Sequence, residues 1–307
     1  MTASHPERDE SPTHSAEPPR ADRFDGQLDT TAQLMNRITS QLGSQLSLVS
    51  LNGTRRPAPP PLVLAAHGSR DPRALSTVRT LVERVREQRP HLTVRLGHID
   101  VSDPPLSGTL ASLDGAQRSG AVLVPLLLGR GHHVRRDLPR AAAAAPGPPV
   151  RVAAPLGPHP LLVETLHDRL VEAGWPAGMS DAARRASAVV LASAGSRLVE
   201  SAADTRRTAL LLAERLGVPV VPAYASGAAP TVPAALRALA ARGRHRVAVA
   251  SHFTAPGRLA SRCAEAGPWI RAEPLGDHPA MVRLVLHRYD QALATPEPAP
   301  ERTLTPA

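Results

Sequence analysis

LVLAAHGSRDPRA, Leu62 to Ala74, and VVLASAGSRLVES, Val189 to Ser201, decide the fold. Each is a run of small and branched apolar residues that stops at a Gly-Ser-Arg turn. Continuous apolar runs of this kind mark strands buried on both faces, as in parallel sheets. The pairing continues downstream. GHIDVSDPPL from Gly97 is echoed by AYASGAAPTVPAAL from Ala223, and VLVPLLLGRGHHVRRDLP from Val122 by VAVASHFTAPGRLASR from Val247. Laying strand on strand sets His67 over Ala194, Asp100 over Ser226 and His133 over Arg258, at offsets of 127, 126 and 125 residues. So steady an offset argues for duplication. A period this long means two tandem domains rather than a solenoid, whose repeats run about 20 to 50 residues.

Working outward, the first copy has apolar runs at Leu62 to Ala66, Leu92 to Leu96, Ala121 to Leu128 and Val150 to Ala154. Helical stretches lie between and after them at Ala74 to Gln88, Pro105 to Ser119, Arg135 to Ala145 and His159 to Ala173. The second copy repeats the order, with strands near Ala188, Val218, Val247 and Trp269 and helices near Arg197, Val232, Arg258 and His278. This alternation predicts an α/β fold: two tandem domains, each a four-stranded parallel sheet with helices on both faces. The expected map is a disordered Pro-rich N-terminal extension over 1–60, a catalytic domain over 61–174, a linker over 175–187, a degenerate second domain over 188–294 and a flexible tail over 295–307. Within the extension, Leu28 to Leu51 has helix-like apolar spacing and could form a short helix.

At 307 residues there is room for two domains that each bury a core. With 42% hydrophobic but only 2% aromatic residues, those cores must be built from Ala, Val and Leu. Two Phe, two Tyr and two Trp leave almost no stacking platform for single-stranded nucleic acid, so no nucleic-acid partner is expected. The net charge of +9 is carried on the basic side essentially by arginine, whose planar fork suits carboxylates and phosphates. One cysteine, Cys263, excludes an internal disulfide and a thiolate cluster and fits a reducing compartment. No apolar run reaches the roughly 18 residues of a membrane span, and MTASHPERDESPTHSAEPPRADR has no apolar core of a signal peptide. A cytoplasmic protein without a membrane partner is expected.

In a parallel sheet, ligands bind at the carboxyl ends of the strands. His67 follows the first strand, Asp100 closes the second and His133 lies in the loop after the third, at equal spacings of 33 residues. All three can reach one crevice. Two imidazoles and a carboxylate suit Fe(II), Co(II), Ni(II) or Zn(II), and three ligands leave positions open for a metal that must arrive and depart. A lone histidine at a strand end is more often a satisfied structural residue, but three at one sheet edge favour a site. The second copy has Ala194, Ser226 and Arg258 at these places, so function is expected in the first. His252, aligned over Leu127, is read as structural or accessory. No GxxxxGK[ST] segment supports a P-loop enzyme.

HGSRDPRA from His67, Asp100-Val-Ser-Asp-Pro, PLLLGRGHHVRRDLP from Pro125 and PLGPHPLL from Pro155 together resemble the sirohydrochlorin chelatase family, relatives of the cobalt and iron chelatases. The resemblance covers about Leu62 to Val171, with a weaker echo from Val189 onward. It implies a lyase, an ATP-independent chelatase that inserts Fe2+ or Co2+ into an anionic tetrapyrrole for siroheme or cobalamin synthesis, the metal being substrate and no organic cofactor being needed. It further implies that His67 and His133 bind the metal and that Asp100 takes the place of a family Glu, one methylene longer, with Asp103 as the rival carboxylate. His132 ranks as an accessory neighbour. The macrocycle carries eight carboxylates, for which Arg70, Arg130 and Arg135 are the chosen partners, and Arg136 is weighed as an exposed helix residue. The pseudo-dimeric tandem arrangement implies a monomer. A non-catalytic tetrapyrrole or metal carrier and a regulatory interaction protein are the alternatives: the first predicts binding without turnover, the second partner binding indifferent to His67 and His133.

Overall fold

A computed structural model of the chain describes residues 58–113 and 120–295. The N-terminal extension up to Pro57, the helix read at Leu28 to Leu51, the last residues of the helix read at Pro105 to Ser119 and the tail beyond Thr295 lie outside the described residues. The first half runs β1 (Leu62–Ala66), α1 (Pro72–Gln88), β2 (Val94–His98), α2 (Leu106–Ala111), β3 (Ala121–Pro125), a π-helical turn (His133–Asp137), α3 (Leu138–Ala143), β4 (Val150–Val152) and α4 (Pro160–Glu172). The second runs α5 (Asp181–Ala186), β5 (Ser187–Ser193), α6 (Val199–Leu216), β6 (Val220–Tyr224), α7 (Val232–Ala240), β7 (Arg246–His252), α8 (Arg258–Ala264), β8 (Ile270–Arg271) and α9 (Pro279–Ala294). The expected linker therefore contains a helix, capped by the Ser180 hydroxyl, and Ser187 already belongs to a strand.

The two sheets have the same order, β2-β1-β3-β4 and β6-β5-β7-β8, with every pair parallel. Leu62 lies opposite Val94 and Val122, and Val189 opposite Val220 and Ala248. The duplication extends to the loops. At both strand ends a glycine with left-handed φ lets two loops meet: Gly68 at φ 96° and Gly195 at φ 95°. A Cβ on Gly68 would stand 2.0 Å from the Asp100 carbonyl oxygen, and one on Gly195 would stand 1.7 Å from that of Ser226. The close approach that Gly68 permits is thus between the first two strand-end loops.

The helices start where local chemistry dictates. In α1 the Asp71 carboxylate accepts the Arg73 N–H, Pro72 needs no partner, and Ala74, Val78, Leu81, Val82 and Val85 form one buried stripe. In α4 and α9 a histidine does this work: the rings of His159 and His278 accept N–H bonds from Leu161 and Ala280, each with a proline next in sequence. Burial pushes the His159 imidazole down to about 4, which keeps it in the neutral, accepting form.

Each half was expected to bury its own core, and here the structure differs. One buried cluster joins Leu62 and Leu64 of β1 to Val189 and Leu191 of β5 through Leu162, Leu166, Met281, Val285 and Tyr289 of α4 and α9. The two terminal helices are exchanged: α9 packs on β3 of the first sheet and α4 on β7 of the second. Polar contacts fix the exchange, with Tyr289 donating to the Pro60 carbonyl and the buried Arg288 to that of Leu156. Smaller clusters fill the outer faces, around Leu106, Leu110 and Leu138 in the first half and Val232, Leu239 and Cys263 in the second. No described helix is long and apolar enough to cross a membrane.

Candidate metal centre

The carboxyl ends of β1, β2 and β3 lie side by side, and the backbone continues the pairing past them. Ile99 and Asp100 donate to the carbonyls of Ala66 and His67, each at 2.9 Å, while the Ser102 hydroxyl bridges the Ser69 N–H and C=O at 2.9 and 3.0 Å. These bonds bring His67 and Asp100 together. Ala225 and Ser226 repeat the first pair of bonds onto Ser193 and Ala194, without the ionisable side chains.

His133 arrives from the third loop. It opens the π-helical turn, in which the Leu138 N–H bonds to the His133 carbonyl five residues back. Its Nδ1 lies 2.7 Å from the Asp137 carboxylate, and a ring held by N–H donation there presents the free lone pair of Nε2. Nε2 in turn lies 3.7 Å from Asp100 Oδ2, and His67 Nδ1 lies 3.9 Å from the same oxygen. The His67 and His133 rings meet edge on, with centroids 5.0 Å apart. One ligand atom from each of His67, Asp100 and His133 falls within 4.8 Å of the others, the span of a single ion. His67 and Asp100 are exposed, at 59% and 45%, and His133 is half-buried at 29%, so the site opens to ligand.

The predicted trio is therefore brought together. Asp103 does not join it. His132 lies beside His133, with Nε2 3.7 Å from Asp137. Asp137 is a site residue that the sequence reading missed, although its place four residues after His133 on a helical segment is a readable signal.

His67, His132 and His133 line a cavity of about 710 Å3 whose wall is completed by the second half, with Ser193, Ala194, Ser226, His252 and Arg258. The lining also includes His98 from the end of β2. His98 and His252 are buried, and the Nε2 of each has no hydrogen-bond partner among the described residues. His252 Nδ1 lies 2.8 Å from the Ser193 hydroxyl, and burial holds its imidazole down at about 4. Its expected alignment over Leu127 is off by one. With Leu62 opposite Val122 and Val189 opposite Ala248, superposing β1 on β5 puts Leu126 over His252. One residue in a strand reverses the face, and Leu126 belongs to the shared core whereas Leu127 packs on the outer cluster.

The arginines chosen for the macrocycle are placed otherwise. Arg130 forks onto Asp204 of α6, with Nη2 to Oδ1 at 2.6 Å and Nε to Oδ2 at 3.0 Å, while its own N–H donates to the same carboxylate at 2.8 Å. Arg135 pairs with Glu200, one turn earlier on α6. Both guanidiniums pin the loop that carries His133 to the second half, and neither lines the cavity. Arg70 is exposed, makes no ion pair with a described residue and also lies outside the lining.

The CbiX family model matches residues 61–173 and 188–292, one match on each half. The sirohydrochlorin cobaltochelatase of Methanococcus aeolicus is 29% identical over 79 residues, which cover 26% of this chain and 55% of that protein. That of Methanopyrus kandleri is 28% identical over 136 residues, covering 36% of this chain and 95% of the relative. The chain thus spans about half the length of the first curated relative it matches. Among solved structures, SirB from Bacillus subtilis with Fe3+ superposes with a TM-score of 0.62 at 18% identity, over 77% of this chain and 96% of that one. At that identity the likeness is one of fold.

Proposed function

Because the chain belongs to the CbiX family, we propose that it is a sirohydrochlorin chelatase, an ATP-independent lyase that inserts Fe2+ or Co2+ into the tetrapyrrole for siroheme or cobalamin synthesis. The observation that carries the reading is the convergence of His67, Asp100 and His133 on one point at the edge of a cavity large enough for an extended organic ligand. Relatives named as sirohydrochlorin cobaltochelatases support the substrate. The metal is a substrate, and neutral imidazoles with one carboxylate hold it while it exchanges water for pyrrole nitrogens. Insertion balances as one divalent ion entering and two pyrrole N–H protons leaving. Asp100, within 4 Å of both imidazoles, is placed to receive a proton directly or through a histidine. Asp137 keeps His133 in the orientation that offers Nε2 to the ion. A monomer in a reducing, cytoplasmic compartment suits the paired halves and the buried, unpaired Cys263. Anaerobic incubation with sirohydrochlorin and each metal tests the reading: absorbance must shift to the metallated macrocycle faster than without protein, and a rate equal to background would overturn it.

The same assay separates the two carboxylates. Asp100→Ala is expected to lose about 10- to 100-fold in rate, the scale of a contact worth about 1.4 to 2.7 kcal/mol in the transition state. Asp100→Glu should keep or raise activity, since the longer side chain regains the reach that the family Glu has. Asp103→Ala should stay near wild type because Asp103 lies outside the cluster. An inactive Asp103→Ala beside an unaffected Asp100→Ala would reverse the assignment.

A further inference from the structure

The second half has kept the strand-end architecture of the first but not its ligands. Where the first half has His67, Asp100 and His133, it has Ala194, Ser226 and Arg258, and all three of these line the cavity that His67 and His133 face. Two neutral residues and a cation cannot hold a divalent metal.

The cavity lining contains five histidines, no lysine and no carboxylate, and Arg258 is the one side chain in it that is charged at every physiological pH. The Arg258 side chain makes no hydrogen bond or ion pair with a described residue, and the residue is exposed. In this it is unlike Arg130 and Arg135, whose forks are occupied by Asp204 and Glu200. An unpaired guanidinium on the second-half wall of the cavity, whose lining residues include no carboxylate, is a receptor for a carboxylate or another oxyanion.

We infer that Arg258 binds a peripheral carboxylate of the macrocycle, so that the second half orients the substrate from the position at which it lost its metal ligand. The inference rests on the chelatase reading for the identity of the macrocycle, and on the cavity lining for the residue. It makes the degenerate half a substrate-binding element. It also separates two affinities within one crevice, with metal held by the first half and macrocycle anchored by the second.

The test is a fluorescence titration of metal-free sirohydrochlorin into wild type, Arg258→Ala and Arg258→Lys, with Co2+ affinity measured on each as the control for an intact fold and metal site. Arg258→Ala should bind the macrocycle 10- to 100-fold more weakly with Co2+ affinity unchanged, and Arg258→Lys should fall between, keeping the charge but not the fork. In turnover the loss should appear in KM for the macrocycle with kcat near wild type. Equal macrocycle affinity in wild type and Arg258→Ala would overturn the inference and leave the chelatase reading standing. Binding that depends on Arg258 without metal insertion would do the reverse, and a wild type that does not bind the macrocycle would overturn both.

Discussion

Replacing His67 by alanine is expected to bring metal insertion down to the nonenzymatic background, a loss of at least 100-fold, while the protein stays folded. The side chain is 59% exposed at the end of β1, beyond the buried run Leu62–Ala66, and its one hydrogen-bond contact among the described residues is with the neighbouring Gly68 carbonyl. Core packing does not depend on it, so the large destabilisations that follow core truncation should be absent. If His67, Asp100 and His133 hold the ion as proposed, the loss of one of three ligands leaves it held too weakly to be presented to the macrocycle. His133→Ala should act alike. Asp137→Asn should act more mildly, because an amide oxygen can still accept the His133 N–H but lacks the charge that raises its basicity. Initial rates with Co2+, together with circular dichroism on the same samples, decide the matter. A folded His67→Ala protein inserting metal at the wild-type rate would remove the centre from the mechanism.

Arg130→Ala should lower stability rather than substrate affinity. Asp204 is 4% exposed and carries the Arg130 fork as well as the Arg130 N–H. Taking the fork away leaves a buried carboxylate with a backbone N–H as its one donor among the described residues. Breaking a fully buried pair costs about 3–5 kcal/mol; the Arg130 side chain is 52% exposed, so water replaces part of the interaction and about 1–3 kcal/mol is the expected loss. For a chain of this size that is a fall of several degrees in Tm. The carboxylate also lies 3.5 Å from where a Cβ on Gly129 would stand, so its displacement disturbs the loop that carries His133. kcat should therefore drop with little change in KM for the macrocycle. A rise in KM with unchanged Tm would restore Arg130 to the substrate-binding role expected from the sequence.

The two arginines show where reading the chain alone runs out. Arginines crowded around His133 signal an anion, but a guanidinium fork fits a protein carboxylate as well as a substrate's. Asp204 and Glu200, the partners of Arg130 and Arg135, lie on a helix some seventy residues later. Only the fold brings them near. The trio was legible for the opposite reason: strands fix the position of the residue that follows them, so equal spacing in sequence became proximity in space. The paired sheets were likewise legible from apolar runs repeated at one offset. The shared core was not, because α4 and α9 carry apolar stripes that would serve either sheet, and nothing local says which. The burial of His98 is not legible inside GHID, because a histidine in a strand gives no sign of it, and the register of His252 is not legible because a gap in the following loop cannot be located without the strand pairing.

The central claim is that one half binds metal and the other does not. Equilibrium titration of the purified chain with Co2+, followed by its visible ligand-field absorption, tests it most directly. One specific site per chain is expected, lost in the His67→Ala/His133→Ala double variant and retained in Arg258→Ala. Two equivalent sites per chain, or a site that survives the double substitution, would contradict it.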